Sequence, residues 1–160
     1  MAPDEASAVP WPAVAGRYVL MLELDQPACL RVRSGRAFAL QPGTYAYVGS
    51  AAGPGGLAAR LAGYAMPRRQ PHWHVDFLLA VAGLTHVLCF DLSVEECQLA
   101  AALGGLPGTA AVEGFGCSDC RCPAHLYRLE AYAEPAVLLA GLESTAPEVI
   151  RALLDQVLLR

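Results

Sequence analysis

Four separated features carry residue types that can act on a phosphate. Gly16-Arg17-Tyr18 comes first, followed by Tyr47-Val48-Gly49-Ser50-Ala51, then Arg60, then Glu96. A carboxylate such as Glu96 can hold Mg²⁺, a hard cation that takes oxygen ligands and keeps several of its waters. Arginine grips phosphate with a planar fork and keeps its charge at any physiological pH. A tyrosine, whose phenol ordinarily titrates at about 10, becomes a general base only where cations lower that value; Arg60 and a bound metal would act in that direction. Glu96 also has a structural competitor. Ser93-Val94-Glu95-Glu96 reads as a capping box, in which Glu96 would bond the Ser93 backbone N–H and Glu95 would be the substitute carboxylate.

A second cluster has softer chemistry. Cys117, Cys120, Cys122 and His125 are spaced C-x2-C-x-C-x2-H, and thiolates with an imidazole suit Zn²⁺. Four ligands from so short a loop would strain it, so three of them joined by His72, His74 or Cys97 is the alternative set. His72 and His74 flank Trp73, where they can contact phosphate or assist proton transfer, or serve packing alone. Residues 49–56 hold four glycines ahead of a helix. Backbone N–H groups in such a loop attract anions, but the Gly-Lys-Ser/Thr ending of a nucleotide-triphosphate loop is missing.

Charge is unevenly spread. The net charge is −4, and every cation is arginine. Arg31, Arg33, Arg36, Arg60, Arg68 and Arg69 fall within residues 26–75, which contain no acid. A basic segment in an acidic chain fits a local phosphate-binding face.

The elements that must position these groups follow from periodicity. A strand is expected over 17–24, with Tyr18, Leu20 and Leu22 on one face. A hairpin over 30–32 and 37–40 turns at Ser34-Gly35. The strand 44–48 puts Tyr45 and Tyr47 on one face, since side chains alternate. A helix over 56–66 stops at Pro67, and another covers 72–81. A strand over 85–92, a helix from Ser93 to about Leu103, a glycine-rich loop over 104–116 and a strand over 124–132 follow. Thr145 and Glu148 cap a last helix whose stripe is Val149, Ile150, Leu153, Leu154, Val157 and Leu158. The order describes an α+β fold, a small mainly antiparallel sheet flanked by helices, with an extra hairpin and a C-terminal helix.

At 160 residues with 55% hydrophobic and 16% charged content, the chain is one foldable domain rather than a disordered segment. The first ten residues carry acids and no apolar run, unlike a secretory signal. The longest apolar stretch, 77–90, is too short to cross a bilayer and is interrupted by His86. A soluble, cytoplasmic protein without a membrane partner is expected, its six cysteines reduced or metal-bound.

The four features in this order resemble the GIY-YIG nuclease superfamily. A branch of it carries three further blocks, which stand here as His72-Trp73-His74-Val75-Asp76-Phe77-Leu78-Leu79, Glu96-Cys97-Gln98-Leu99-Ala100 and Phe115-Gly116-Cys117-Ser118-Asp119-Cys120-Arg121-Cys122-Pro123-Ala124-His125-Leu126. The resemblance implies that Tyr18 and Tyr47 are the tyrosines of the two motif halves, with Tyr45, in Gly43-Thr44-Tyr45, competing with Tyr18. It implies that Gly49 closes the second half, that Arg60 is the helical arginine, and that Glu96 holds the divalent metal. Superfamily members often have a histidine one turn after that arginine, where this chain has Tyr64. The expected domains are an arm over 1–15, the nuclease-like unit over 16–132, and a helical extension over 133–160 packed on it. The function implied is metal-dependent hydrolysis of phosphodiester bonds in nucleic acid, with DNA favoured. His74 would assist, while Gly49, Ser50, Arg68, Arg69 and His72 would meet substrate phosphates. A non-catalytic nucleic-acid-binding module, or a small zinc-binding structural protein, is the alternative.

Overall fold

The chain begins, among the residues described, with a segment that the helix after it needs. The computed structural model describes residues 11–64, 70–117 and 119–158. Its strands are β1 (Gly16–Leu24), β2 (Ala28–Arg31), β3 (Ala37–Leu40), β4 (Gly43–Ala51), β5 (Gly83–Phe90), β6 (Thr109–Ala111), β7 (Leu126–Leu129) and β8 (Leu153–Leu158). Its helices are α1 (Gly56–Tyr64), α2 (His74–Leu79), α3 (Glu96–Gly104), α4 (Pro135–Thr145) and α5 (Pro147–Ile150). Residues 11–15 were expected to be part of a loose arm. Instead, the Val14 and Pro12 carbonyls accept the Leu57 and Ala58 N–H groups at 2.9 and 3.0 Å. These are first-turn donors of α1 that have no partner inside the helix. Positions 1–10 lie outside the described residues.

Six strands form one antiparallel sheet in the order β6-β7-β4-β1-β5-β8, and β2-β3 form a separate hairpin. β1 is central and apolar on both faces, because both are covered. Tyr18, Leu20 and Leu22 join Leu57 and Leu61 of α1, Val75 and Leu78 of α2, and Leu30 and Phe38 of the hairpin. Val19 and Met21 point the other way, onto Leu99 and Leu103 of α3, Leu138 and Leu142 of α4, and Val149 of α5. The fold is therefore α+β with the sheet as its middle layer.

Two expectations need correction. The 104–116 loop contains the short edge strand β6, paired with β7. Thr145 ends α4 rather than starting a helix, and the stripe expected to continue one helix over 145–158 is helical only in the short α5, which stops at Ile150. The second half of the stripe is β8, paired with β5 through Val87↔Val157 and Leu88↔Gln156. Apolar residues at 153, 154, 157 and 158 satisfy a helical period and a short strand alike. The open edge of β5 decides, since its backbone groups need partners.

Candidate functional site

A cleft of about 480 Å³ opens between α1, the start of α2, the start of α3 and the loop after β6. Its floor is made by β1 and β4. Their register places Tyr18 opposite Gly49 and Leu20 opposite Tyr47, so period two puts both tyrosine rings on the α1 side. Gly49 is there for a steric reason. A Cβ at this position would lie 2.3 Å from the Tyr18 ring and hydroxyl, so the Tyr18 side chain can cross β4 only over a glycine. Tyr18 Oη lies 2.7 Å from Tyr64 Oη. Tyr64 is one turn beyond Arg60, which also lines the cleft. The Tyr47 ring meets Phe115 edge-on at 6.1 Å.

Electrostatics separate these groups. Burial, then the neighbouring Tyr64 and Tyr47, push the Tyr18 phenol well above its ordinary value, and Arg60 only partly opposes them. Burial, then Tyr64 and Glu96, push Tyr47 the same way. Both phenols are protonated at neutral pH and act as hydrogen-bonding groups in the resting cleft. The lowering that a general base requires is therefore not supplied by Arg60. For Arg60 burial works against the charge, but Tyr18, Tyr64 and Tyr47 outweigh it and raise its pKa.

Tyr45 shares the strand face of Tyr47 but not the cleft. Its hydroxyl donates to the Gln41 carbonyl at 2.6 Å, and it lines a different recess with Arg128. Of the two candidates for the first tyrosine, Tyr18 is the one in the cleft.

Glu96 is the first residue of α3, and the capping alternative does not hold. Ser93 instead bonds Asp91 through its N–H at 2.8 Å and also through its hydroxyl. The helix starts three residues later than expected, with Glu95 at its N-cap and the Glu95 N–H directed at the Gln98 side chain. Glu96 is free to line the cleft, its side chain 33% exposed, with Oε1 2.9 Å from Nδ1 of His125. Arg17 fixes this helix start relative to the floor. Its guanidinium reaches the Val94 carbonyl at 3.2 Å, Glu95 at 3.3 Å and the Ser50 hydroxyl. Ser50 lines the cleft while held by Arg17.

The 72–79 block is explained by Asp76. This buried carboxylate accepts the N–H groups of His72 and Trp73 at 3.0 and 2.8 Å, so it caps α2 and sets both neighbours. His74 Nδ1 accepts the Gly116 N–H at 2.8 Å. Burial, helped by Arg36, lowers its pKa. A neutral imidazole accepting at Nδ1 carries its proton on Nε2. His72 lies outside this cleft, against Arg33. Trp73 stands 53% exposed between the cleft and a recess lined by Arg33, Ser34 and His72. Arg68 and Arg69 lie outside the described residues.

The cysteine cluster differs from the local set of four. Donor atoms of Cys97, Cys120, Cys122 and His125 all lie within 4.8 Å of one another, so these four could hold a metal ion. Cys117 does not belong to that group; its Sγ points to the Phe115 carbonyl at 3.5 Å. Burial raises the Cys122 thiol. The Cys120 thiol falls below its ordinary value, because hydrogen bonds from Cys122 and the charge of His125 outweigh its burial. Of the three outside ligands in the alternative set, His72, His74 and Cys97, it is Cys97 that joins the group. Asp119 lines the cleft without having been expected there, and Tyr64 lines it from the position one turn after Arg60.

The model of a family described as "Domain of unknown function DUF123" matches residues 17–146, from β1 through α4, a span that holds the cleft and the cluster. No curated protein and no solved structure matches the chain.

Proposed function

Because the chain belongs to the DUF123 family, whose description names no activity, its chemistry has to be argued from the cleft, and we propose that it is a metal-dependent endonuclease of the GIY-YIG type. It would hydrolyse phosphodiester bonds in nucleic acid, with DNA favoured. One observation carries the reading: Tyr18, Tyr47, Arg60 and Glu96, from four separate elements, line one cleft.

The donor set suits Mg²⁺. Glu96 offers a partly exposed carboxylate in a cleft open to water, and Mg²⁺ is commonly held by one or two carboxylates, substrate phosphate and water. Held at Glu96, it would supply positive charge for the leaving oxygen. Arg60 binds the phosphate in the ground state and more strongly as charge develops on it. Tyr18 and Tyr47 donate hydrogen bonds to phosphate oxygens or orient the attacking water. His74 adds a neutral Nε2–H donor. Trp73 offers an exposed ring for a base to stack on, with Arg33 beside it for the backbone. The soft cluster beside the cleft takes Zn²⁺ in a structural role. Six cysteines held as thiols or metal ligands rather than as disulfides fit a reducing cytoplasm. The raised phenols favour a second reading, a nucleic-acid-binding module of the same architecture that does not cut.

Cleavage of labelled single- and double-stranded DNA and RNA, with Mg²⁺ and with chelator, separates the two. Glu96→Gln is expected to lower cleavage about 100-fold or more, a loss typical for removal of one transition-state charge partner, while binding persists. Arg60→Ala is expected to weaken both binding and turnover. A Glu96→Gln protein cutting at the wild-type rate in the same Mg²⁺ ends the assignment of the metal to Glu96; a wild-type chain that binds and never cuts favours the second reading.

A further inference from the structure

Loop 112–125 joins β6 to β7 with no regular element among its described residues, yet it contributes to one wall of the cleft. Backbone hydrogen bonds fold it on itself: Gly114 N–H to the Pro123 carbonyl at 2.8 Å, and His125 N–H to the Phe115 carbonyl at 2.9 Å. These bonds gather Cys120, Cys122 and His125 on the side facing the first turn of α3, which contributes Cys97. Two parts of the chain, far apart in sequence, thus supply donors to one point.

We propose that Cys97, Cys120, Cys122 and His125 form a tetrahedral zinc centre, with Glu96 as the outer carboxylate on His125 that ties this centre to the cleft. Zn–S bonds of about 2.3 Å and a Zn–N bond of about 2.0 Å in a tetrahedron give donor separations of about 3.5–3.8 Å. Cys120 Sγ and His125 Nε2 already stand at 3.4 Å, and the widest separation in the group is within 4.8 Å. Closing onto an ion therefore takes movements of about 1 Å. Three thiolates and an imidazole select a soft ion over Mg²⁺. Four protein ligands leave no open position, so the centre is structural.

His125 supplies the second observation. It is 3% exposed, and its Nδ1 has no well-directed hydrogen bond although Glu96 Oε1 is only 2.9 Å away. An ion on Nε2 fixes the remaining ring proton on Nδ1, 2.9 Å from Glu96 Oε1, and a small turn of ring or carboxylate as the site closes brings the two into line. Metal-bound histidines usually donate that proton to a carboxylate or carbonyl, which holds the ring in orientation. Glu96 Oε1 is then committed to His125, while Oε2 remains for the cleft. Binding Zn²⁺ displaces the thiol protons to water and pins loop 112–125 to α3. The zinc centre stands whether or not the cleft cuts nucleic acid. Only the significance of the Glu96 link for catalysis rests on the nuclease reading.

The full chain, purified without chelator, is expected to contain one zinc per molecule by elemental analysis. Replacement of that ion by Co²⁺ in the wild-type protein should give tetrahedral ligand-field bands and strong thiolate charge transfer, reporting a three-sulfur site with no substitution needed. Cys97→Ser and Cys122→Ser should lose the ion; Cys117→Ser should keep it. Competition with a chromophoric chelator should find zinc bound 10–100-fold more weakly in Glu96→Ala, and partly restored in Glu96→Gln, whose amide oxygen still accepts the Nδ1 proton. A wild-type chain that holds no zinc and gives no cobalt–thiolate spectrum overturns the centre. Loss of the ion from Cys117→Ser but not from Cys97→Ser overturns the ligand set, and unchanged affinity in Glu96→Ala removes the link to the cleft. All these readouts are metal equilibria, so a chain that binds zinc this way and never cleaves DNA refutes only the nuclease reading.

Discussion

Gly49 and Tyr18 form one steric unit, since the ring of one occupies the space where the other has no side chain. Gly49→Ala must expel the phenol, and with it the Tyr18–Tyr64 hydrogen bond at 2.7 Å. The expected cost is about 1–3 kcal/mol of stability, the usual range for overpacking a buried site, read from the midpoint shift in urea unfolding. An unchanged midpoint would mean that Tyr18 has room elsewhere. His74 gives a pH signature. Burial, with Arg36, lowers its pKa below the usual value of about 6.5. The unfolded chain therefore takes up the proton first, so its contribution is complete above about pH 6.5 and is lost as pH falls through the lower folded value. His74→Gln should flatten the stability profile below about pH 6.5 relative to wild type; parallel profiles would contradict the assignment.

At the scale of elements, Asp76 organises the cleft's rim without lining it. Asp76→Ala leaves two N–H groups, of His72 and Trp73, without their acceptor. Hydrogen bonds to a charged group are worth about 1.5–3 kcal/mol each. The expected result for losing both is about 3–6 kcal/mol at most, with faster amide exchange at His72 and Trp73 before any global change. Protection equal to wild type at those two amides would show the cap to be dispensable. The elements that the sequence made legible were those with one clear period: alternation put Tyr18, Leu20 and Leu22 on one face of β1 and Tyr45 and Tyr47 on one face of β4, as the core cluster has them. The tail was not legible, because Leu153, Leu154 and Val157 fit either period and only the unpaired edge of β5 chooses between them. The start of α3 was displaced for a local reason. Ser93 was read as a cap from its type, but Asp91, two residues earlier, takes its N–H. Spacing offered Cys97 as one of three outside ligands, beside His72 and His74, and could not choose among them, since loop and helix meet only through the fold.

For the whole molecule, three layers share one sheet, and both outer strands matter to the rest. No helix among the described residues is long and apolar enough to cross a membrane. The two core clusters lie on opposite faces of β1, yet Arg17 links them, spanning from the end of β4 to the loop before α3. The cleft floor and the Glu96 helix therefore share one clamp. β8 has a consequence for anyone who would isolate the working part of this chain. The family match ends at residue 146, and a fragment cut there would keep Tyr18, Tyr47, Arg60, Glu96 and the four cluster residues. It would also strip the cover from β5, leaving a row of unsatisfied backbone groups that can pair with another chain. Such a fragment should self-associate in sedimentation or size-exclusion experiments where the full chain does not, and monomeric behaviour at high concentration would refute this. The trimmed piece would then lose its solution behaviour while still holding every residue proposed for the cleft and the cluster.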